Sequence, residues 1–165
     1  MYEQPYEQTW SPTSWQKLHY RLLRPAIFVV PLWLAFGKLL FGGPFGWASI
    51  IYFFAVNPFL ILYHILISYI AARKNRLRSD LDPEDFFVTD RLAAALTIYY
   101  SIHILWQFLL EDGGDEGPHP SIAERWFGIS STVSLRILNS LFVCFLVDLL
   151  VILTLVFFEP ILIEE

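Results

Sequence analysis

The sequence predicts an all-α membrane protein, an antiparallel bundle of four transmembrane helices with a short N-terminal amphipathic helix at the membrane interface. Of its 165 residues, 56% are hydrophobic and 16% are charged, which is too apolar for a soluble domain of this size. Four segments have the ~17 to 25 residues that a tilted spanning helix needs. These spans cover about residues 25–41, 47–72, 91–110 and 137–158, within one transmembrane domain, 25–158. Few residues remain outside, so a folded extramembrane catalytic domain is excluded.

The N-terminal segment, residues 1–24, is expected to form a cytoplasmic tail and the amphipathic helix. Two stripes follow the potential N-cap Ser14 at helical spacing. The apolar stripe is Trp15, Leu18 and Leu22, and the basic stripe is Lys17, Arg21 and Arg24. Such a helix lies flat on the cytoplasmic leaflet, and Pro25 would mark the bend into the first span. The alternative is that these residues simply continue the helix of the first span.

Prolines interrupt the first two spans. Pro31 in the first span and Pro58, after Asn57, in the second each remove one backbone hydrogen bond, which predicts a kink in each helix. The short turn at Gly42-Gly43-Pro44 makes the two helices antiparallel neighbours. Lys38, near the outer end of the first span, is expected to reach the membrane surface.

Charge is distributed unevenly between the connecting segments. Most basic residues precede the first span or lie between the second and third, whereas the segment 111–135 is rich in acids. By the positive-inside rule, both termini and the middle loop face the cytoplasm, and 111–135 faces outward. Residues 159–165 then form a short cytoplasmic tail. We expect an integral protein of a bacterial plasma membrane or an organellar inner membrane, with no nucleic acid as a partner.

A set of basic and aromatic residues marks a surface for a partner or for lipid. Its members are Trp15, Lys17, Arg21, Arg24, Arg73, Lys74, Arg76 and Arg78. The basic block after the second span directly precedes an acidic stretch, 80–85. This pattern is typical of a topology signal on a solvated face, and a docking site for a partner or for anionic lipid is the alternative.

The acidic loop invites a metal interpretation that its spacing does not support. Four acids lie among glycines in 111–117, but the alternating oxygen ligands and the final glutamate of an EF-hand are missing. The single cysteine, Cys144, lies inside a span, so we predict neither a disulfide nor a metal cluster. Ser121 begins a capping-box pattern and predicts a short helix that carries Trp126 and Phe127.

Polar residues inside the spans fall on single helix faces. The second span carries Asn57, His64 and Ser68; the third carries Tyr99, His103 and Gln107; the fourth carries Ser140, Cys144 and Asp148. The spacings of four and seven residues put each set on one row. Such rows would leave their polar groups unsatisfied in lipid, so we expect all three to converge on the bundle interior.

Asp148 is the centre of the predicted intramembrane polar cluster, because a carboxylate at membrane depth has to be paired, protonated or functional. Counted from the outer span ends at ~1.5 Å per residue, Tyr99, Asn57 and Asp148 lie ~15 to 18 Å deep and His103 lies ~11 Å deep. This cluster suits proton-coupled movement of a solute. The structural alternative is a neutral Asp148 that holds helices together by hydrogen bonds.

Histidines raise the possibility of haem. The segment Leu18-His19-Tyr20-Arg21-Leu22 resembles the histidine-bearing start of the first helix in small membrane b-type cytochromes, which implies a b-type haem. His64 and His103 in adjacent spans are the candidate axial ligands, but the depth count separates them by ~15 Å from the outer ends. We therefore expect no cofactor, with haem as a minor alternative.

No sequence motif indicates an enzyme, since nucleophile, phosphate-loop and metalloprotease patterns are missing. The leading expectation is a small non-enzymatic polytopic subunit that binds other membrane proteins or a second copy of itself, as an accessory or assembly component of a larger complex. The alternative is a proton-linked carrier that works through Asp148.

Overall fold

A computed structural model describes residues 11–43, 46–78, 81–114 and 117–160. Four of its helices are long and apolar enough to cross a membrane, namely Ser14–Phe41, Trp47–Arg76, Asp90–Leu109 and Ser131–Phe158. This confirms the prediction of a helical, multi-pass membrane protein with four spans. The predicted tails at 1–10 and 161–165 lie outside the described residues.

The first span begins as helix α1 (Ser14–Phe36) and tightens into a 3₁₀ turn (Gly37–Phe41). Thr13 is the N-cap: its side chain accepts from the backbone N–H of Gln16, and the Gln16 side chain accepts from the N–H of Thr13. This reciprocal pair satisfies two otherwise free donors at the helix start.

The predicted separate interfacial helix before Pro25 is wrong, because α1 runs without a break through Pro25 and Pro31. Its first turns are packed against the bundle by Gln16, His19 and Leu23, which are buried. The predicted apolar stripe of Trp15, Leu18 and Leu22 is exposed instead. Burial of the neighbouring face therefore holds this segment in line with the span, which offsets the backbone hydrogen bond that Pro25 removes.

The turn after the first span contradicts the expectation that Lys38 reaches the surface. Lys38 is 2% exposed. The chain reverses at Gly42, which has a left-handed φ of 71°, and the N–H of Gly43 then bonds to the Lys38 carbonyl at 2.9 Å. A Cβ at position 43 would lie 3.2 Å from the Cβ of Lys38, so glycine lets the turn close over the lysine.

The second span combines helix α2 (Trp47–Ile51), a π-helical stretch (Tyr52–Val56) and helix α3 (Asn57–Arg76). The irregular stretch ends directly before Asn57-Pro58, where the sequence predicted a kink. Pro58 has no N–H to donate to the preceding turn, and the wider π-helical turn accommodates the missing hydrogen bond. The Asn57 amide donates to the Pro31 carbonyl at 2.9 Å, so the proline regions of the two spans meet.

The loop after α3 is attached to the helix by Asn75, which is fully buried. Its amide nitrogen donates to the Phe87 carbonyl at 2.8 Å, and its amide oxygen accepts from the Phe87 N–H at 3.0 Å. A 3₁₀ turn (Pro83–Asp85) lies within this loop. Helix α4 (Asp90–Leu109) then starts at the N-cap Thr89.

Between the third and fourth spans, two three-residue strands, β1 (Asp112–Gly114) and β2 (Gly117–His119), pair antiparallel. This hairpin was not predicted. The short helix that Ser121 predicted is confirmed as α5 (Ile122–Phe127), with the Ser121 hydroxyl accepting from the N–H of Glu124. The last span is the single helix α6 (Ser131–Phe158).

The helices pack around a continuous apolar core. Helix α1 contacts α3 and α4, and α6 contacts α4 and α3. Core residues from all four of these helices include Leu23, Ile67, Leu96 and Ile152. This arrangement brings one member of each polar row, His64 of α3, Tyr99 of α4 and Asp148 of α6, toward one another.

Candidate functional site

Tyr99 lies at the centre of a buried group of aromatic and imidazole rings. The centroid of its ring is 4.2 Å from that of His103, 5.4 Å from that of His64 and 6.0 Å from that of Tyr63. Tyr99, His103 and His64 are all buried. Tyr99, His103, His64 and Asp148 of α6 form what we call the polar core.

The two histidines of the polar core are oriented by their own helices. The Nδ1 atom of His64 lies 2.7 Å from the carbonyl of Leu60, and that of His103 lies 2.8 Å from the carbonyl of Tyr99. A carbonyl only accepts, so Nδ1 carries the proton in both rings. In the neutral imidazole, Nε2 is then an acceptor, and in His64 this atom is buried without a hydrogen-bond partner among the described residues.

Asp148 lies at the edge of this ring group, 7% exposed. Its carboxyl is within electrostatic range of the hydroxyls of Tyr63 and Tyr99. Tyr63 donates to the Leu149 carbonyl at 3.4 Å, whereas the Tyr99 hydroxyl and the Oδ2 atom of Asp148 have no partner in the described part of the chain. A donor hydroxyl, an imidazole acceptor and a carboxyl thus share one buried region. Groups of this kind can bind a water molecule or exchange a proton.

Of the predicted cluster, the structure brings Tyr99 and His103 into ring contact and Tyr99 within electrostatic range of Asp148, but it places Asn57 elsewhere. The Asn57 amide is bonded to Pro31 of α1. Gln107, the outermost member of the α4 row, likewise donates to the Leu34 carbonyl of α1 at 2.8 Å. Asn57 and Gln107 therefore form a separate set of hydrogen bonds that connect α3 and α4 to α1.

His64 was missed because the depth count assumed that all spans start at the same height. The second span is 30 residues long and the third is 20, and only the second contains a π-helical stretch. Two residues that are the same number of positions from the ends of their spans therefore do not lie at the same depth in the membrane. The row from Asn57 through His64 to Ser68 had marked the correct face.

The depth difference that argued against haem is wrong, since His64 and His103 both pack against Tyr99. The residues nevertheless do not fit the cofactor. A porphyrin between two axial imidazoles needs open space there, and the fully buried Tyr99 ring contacts both. The expectation of no cofactor stays a prediction.

The predicted basic surface divides into two groups. Lys17, Lys74 and Arg78 are occupied within the bundle. Lys17 forms an ion pair with Asp85 at 2.7 Å, Lys74 donates to the Glu159 carbonyl at 2.7 Å, and Arg78 lies 5.7 Å from the Phe87 ring centroid.

The second group of basic residues, Arg21, Arg24 and Arg76, lines one pocket, while Arg73 is exposed outside it. Trp15 is exposed and its ring packs on that of His19, with centroids 4.0 Å apart. The predicted basic surface is therefore not evenly solvated, because some of its residues make contacts within the protein and others line a common pocket.

The polar row of α6 is only half covered, contrary to the prediction that all of it faces the interior. Asp148 and the next two positions of the row, Ile152 and Val156, are buried, but Ser140 and Cys144 are exposed. A separate cavity of about 120 Å³ is lined by residues of all four spans, with Tyr52, Phe145 and His103 among them. We call the exposed row Ser140–Cys144 on α6 the open slot.

Comparison with known proteins finds no matching family model, no similar curated protein and no similar solved structure. Within the ranges that the structure describes, no three His, Cys, Asp or Glu side chains are grouped to hold a metal ion. The site itself is therefore the basis for a functional proposal.

Proposed function

We propose that this protein is a small, non-enzymatic membrane subunit that binds a transmembrane helix of another protein, or of a second copy, in the open slot. It would act as an accessory or assembly component of a larger membrane complex. The observation that supports this most directly is the exposed row Ser140–Cys144, which continues the buried row of Asp148.

Helix association in a membrane depends on close packing and interhelical hydrogen bonds, because lipid tails are as apolar as the helices. Small side chains four residues apart, such as Ser140 and Cys144, let a second helix approach closely. A partner helix in the open slot would cover this face.

We further propose that consecutive spans alternate in direction, with both termini in the cytoplasm. Asn57 bonds to Pro31, and Ser68 bonds to Leu23 at 3.2 Å, which supports opposite directions for α1 and α3. Trp106 and Phe142 lie 6.1 Å apart and Tyr99 and Phe145 lie 6.0 Å apart by centroids, which supports opposite directions for α4 and α6. The positive-inside rule then assigns the end that carries Arg76 to the cytoplasm.

The only cysteine of the chain lies in the open slot, which gives a direct test. We expect Cys144, labelled in native membranes with a benzophenone maleimide, to form one light-dependent adduct of defined mass with a membrane protein. An adduct of twice the mass of the chain identifies self-association. Mass spectrometry of the adduct identifies the partner.

The control moves the cysteine to another face of the same helix. In the double variant Cys144→Ser, Leu150→Cys, the new cysteine replaces a side chain that is 66% exposed and is about 120° away around α6. This variant should be labelled and yield no adduct. Equal adducts from both positions, or recovery of the chain alone as a homogeneous particle, would argue against a helix-binding subunit.

A second candidate function is proton-linked transport through the polar core. It is favoured by the buried, unpartnered atoms of Tyr99, His64 and Asp148. Asp148→Asn separates the two functions. A subunit should keep its fold and its Cys144 adduct, whereas a carrier should lose proton flux in proteoliposomes while the variant still inserts into the membrane.

A further inference from the structure

Three arginines from two different spans surround one pocket at the end of the bundle that carries the loop 81–89. Arg21 and Arg24 come from α1, and Arg76 is the last residue of α3. The pocket has a volume of about 450 Å³, and all three side chains are exposed. Helix positions 21 and 24 lie on neighbouring turns, so both guanidinium groups can reach one ligand.

The nearest acidic residues do not neutralise these arginines. Asp85 forms its ion pair with Lys17, and Arg21 reaches only the backbone carbonyl of Glu84, at 3.4 Å. Within the described ranges, Arg24 and Arg76 make no ion pair. The pocket therefore presents a concentrated positive charge.

The pocket also has an aromatic wall. The rings of Tyr20 and Phe86 meet edge to face with centroids 5.7 Å apart. The Tyr20 hydroxyl is within electrostatic range of Arg24 and Arg76, so it can donate to the same ligand that the arginines bind. This combination of guanidinium groups, a phenol and an apolar wall suits a phosphate group that is attached to a less polar body.

We propose that this pocket binds the phosphate of an anionic phospholipid headgroup. Its position selects a lipid over free phosphate: Arg76 ends the second span, and Phe28, one turn beyond Arg24, begins an exposed apolar stretch with Val29. A phosphate at the arginines would thus direct its acyl chains along the hydrocarbon-facing surface of α1. Basic pockets at the ends of spans recognise lipid headgroups in this way. The inference does not depend on the proposed subunit function.

Native mass spectrometry of the full chain in detergent tests the proposal, with phosphatidylglycerol and phosphatidylcholine of identical acyl chains as probes. Phosphatidylglycerol should bind more tightly. The variant Arg24→Gln, Arg76→Gln should weaken its binding about 25-fold, at about fivefold for each arginine. Phosphatidylcholine binding should weaken less, because the choline group already offsets the charge of its phosphate. Arg24→Lys, Arg76→Lys should keep part of the preference, because it retains the charge but loses the bidentate geometry.

The matched control is Arg73→Gln, which removes the same charge from the same end of α3 but lies outside the pocket. It should change phosphatidylglycerol binding less than twofold. Equal affinity for the two lipids, or an equal loss in the control, overturns the proposal in favour of general surface attraction. Displacement of the lipid by millimolar inorganic phosphate overturns the lipid assignment in favour of a free-phosphate site. If the double variant fails to fold, Arg24→Gln alone should still weaken binding about fivefold.

Discussion

At the scale of single residues, the ring and the hydroxyl of Tyr99 contribute differently to stability. We expect Tyr99→Phe to leave the free energy of unfolding unchanged or to raise it, because the hydroxyl it removes is buried without a partner among the described residues. Tyr99→Ala should lower it by about 3 to 5 kcal/mol, since the ring packs against five neighbouring rings. Unfolding in mixed micelles with increasing SDS measures both. A loss above about 1 kcal/mol for Tyr99→Phe would show that the hydroxyl does have a partner, with Asp148 as the nearest acidic candidate.

Asn75 shows how one side chain can fix a whole loop. Replacing it with Ala leaves both the N–H and the carbonyl of Phe87 without the bonds that the amide now makes. We expect Asn75→Ala to lower the free energy of unfolding by about 1 to 3 kcal/mol, because it removes two buried hydrogen bonds to Phe87 that contribute about 0.5 to 1.5 kcal/mol each. Asn139→Ala is the control, since Asn139 is exposed, and should change it by less than about 0.5 kcal/mol. Equal effects of the two substitutions in the same SDS titration would contradict this role for Asn75.

At the scale of elements, the start of α1 depends on its capping box. Thr13→Ala removes the side chain that accepts from the Gln16 N–H, and a lost N-cap costs about 1 kcal/mol. We expect the backbone amides of residues 15–17 to exchange with deuterium about fivefold faster, while α4 is unaffected. Thr132→Ala, an exposed change within the first turn of α6, should leave the α1 amides unchanged. No change in exchange at the start of α1 would show that packing by Gln16 and His19 fixes it without the cap.

The elements also show which features the sequence could predict. Span number, the start of α5 and the irregular turn before Pro58 follow from hydropathy, capping and proline chemistry, which are local properties. The outcome at Pro25 was not predictable locally, because α1 is continuous there and the burial of His19 and Leu23 against other helices depends on the fold. The role of Asn75 could not be predicted from its place in a basic run, because its partner Phe87 comes close to it only in the folded loop.

The same limit applies to the candidate site. Helical spacing gave the correct row for Tyr99 and His103, but the heights of the helices relative to one another depend on span length and on the π-helical stretch. His64 and Asn57 were therefore assigned to the wrong levels. Exposure of Cys144 depends on which helices are neighbours along each half of α6, and no pattern within α6 contains that information.

At the scale of the whole molecule, polarity is organised by position in the bundle. The polar core lies between α3, α4 and α6, the open slot lies on the N-terminal half of α6, and the arginine pocket lies at the end with the loop 81–89. The polar core and the arginine pocket are each made by residues from at least two spans. Because the polar core, the open slot and the arginine pocket lie at different places, substitutions at one of them can test binding there without changing the other two.

The orientation of this bundle gives the last prediction. We expect the loop that carries Leu77 to face the cytoplasm and the segment that carries His119 to face outward, because basic residues concentrate on the first and acids on the second. In a Cys144→Ser background, Leu77→Cys and His119→Cys place single cysteines in the two connections; Leu77 is 77% exposed. An impermeant maleimide should label the cysteine at 119 in intact cells and the one at 77 only after permeabilisation, with the parent Cys144→Ser protein unlabelled throughout. Labelling of both cysteines from the same side would contradict a membrane crossing by the third span, which separates the two positions, and with it the assignment of the end that carries Arg76 to the cytoplasm.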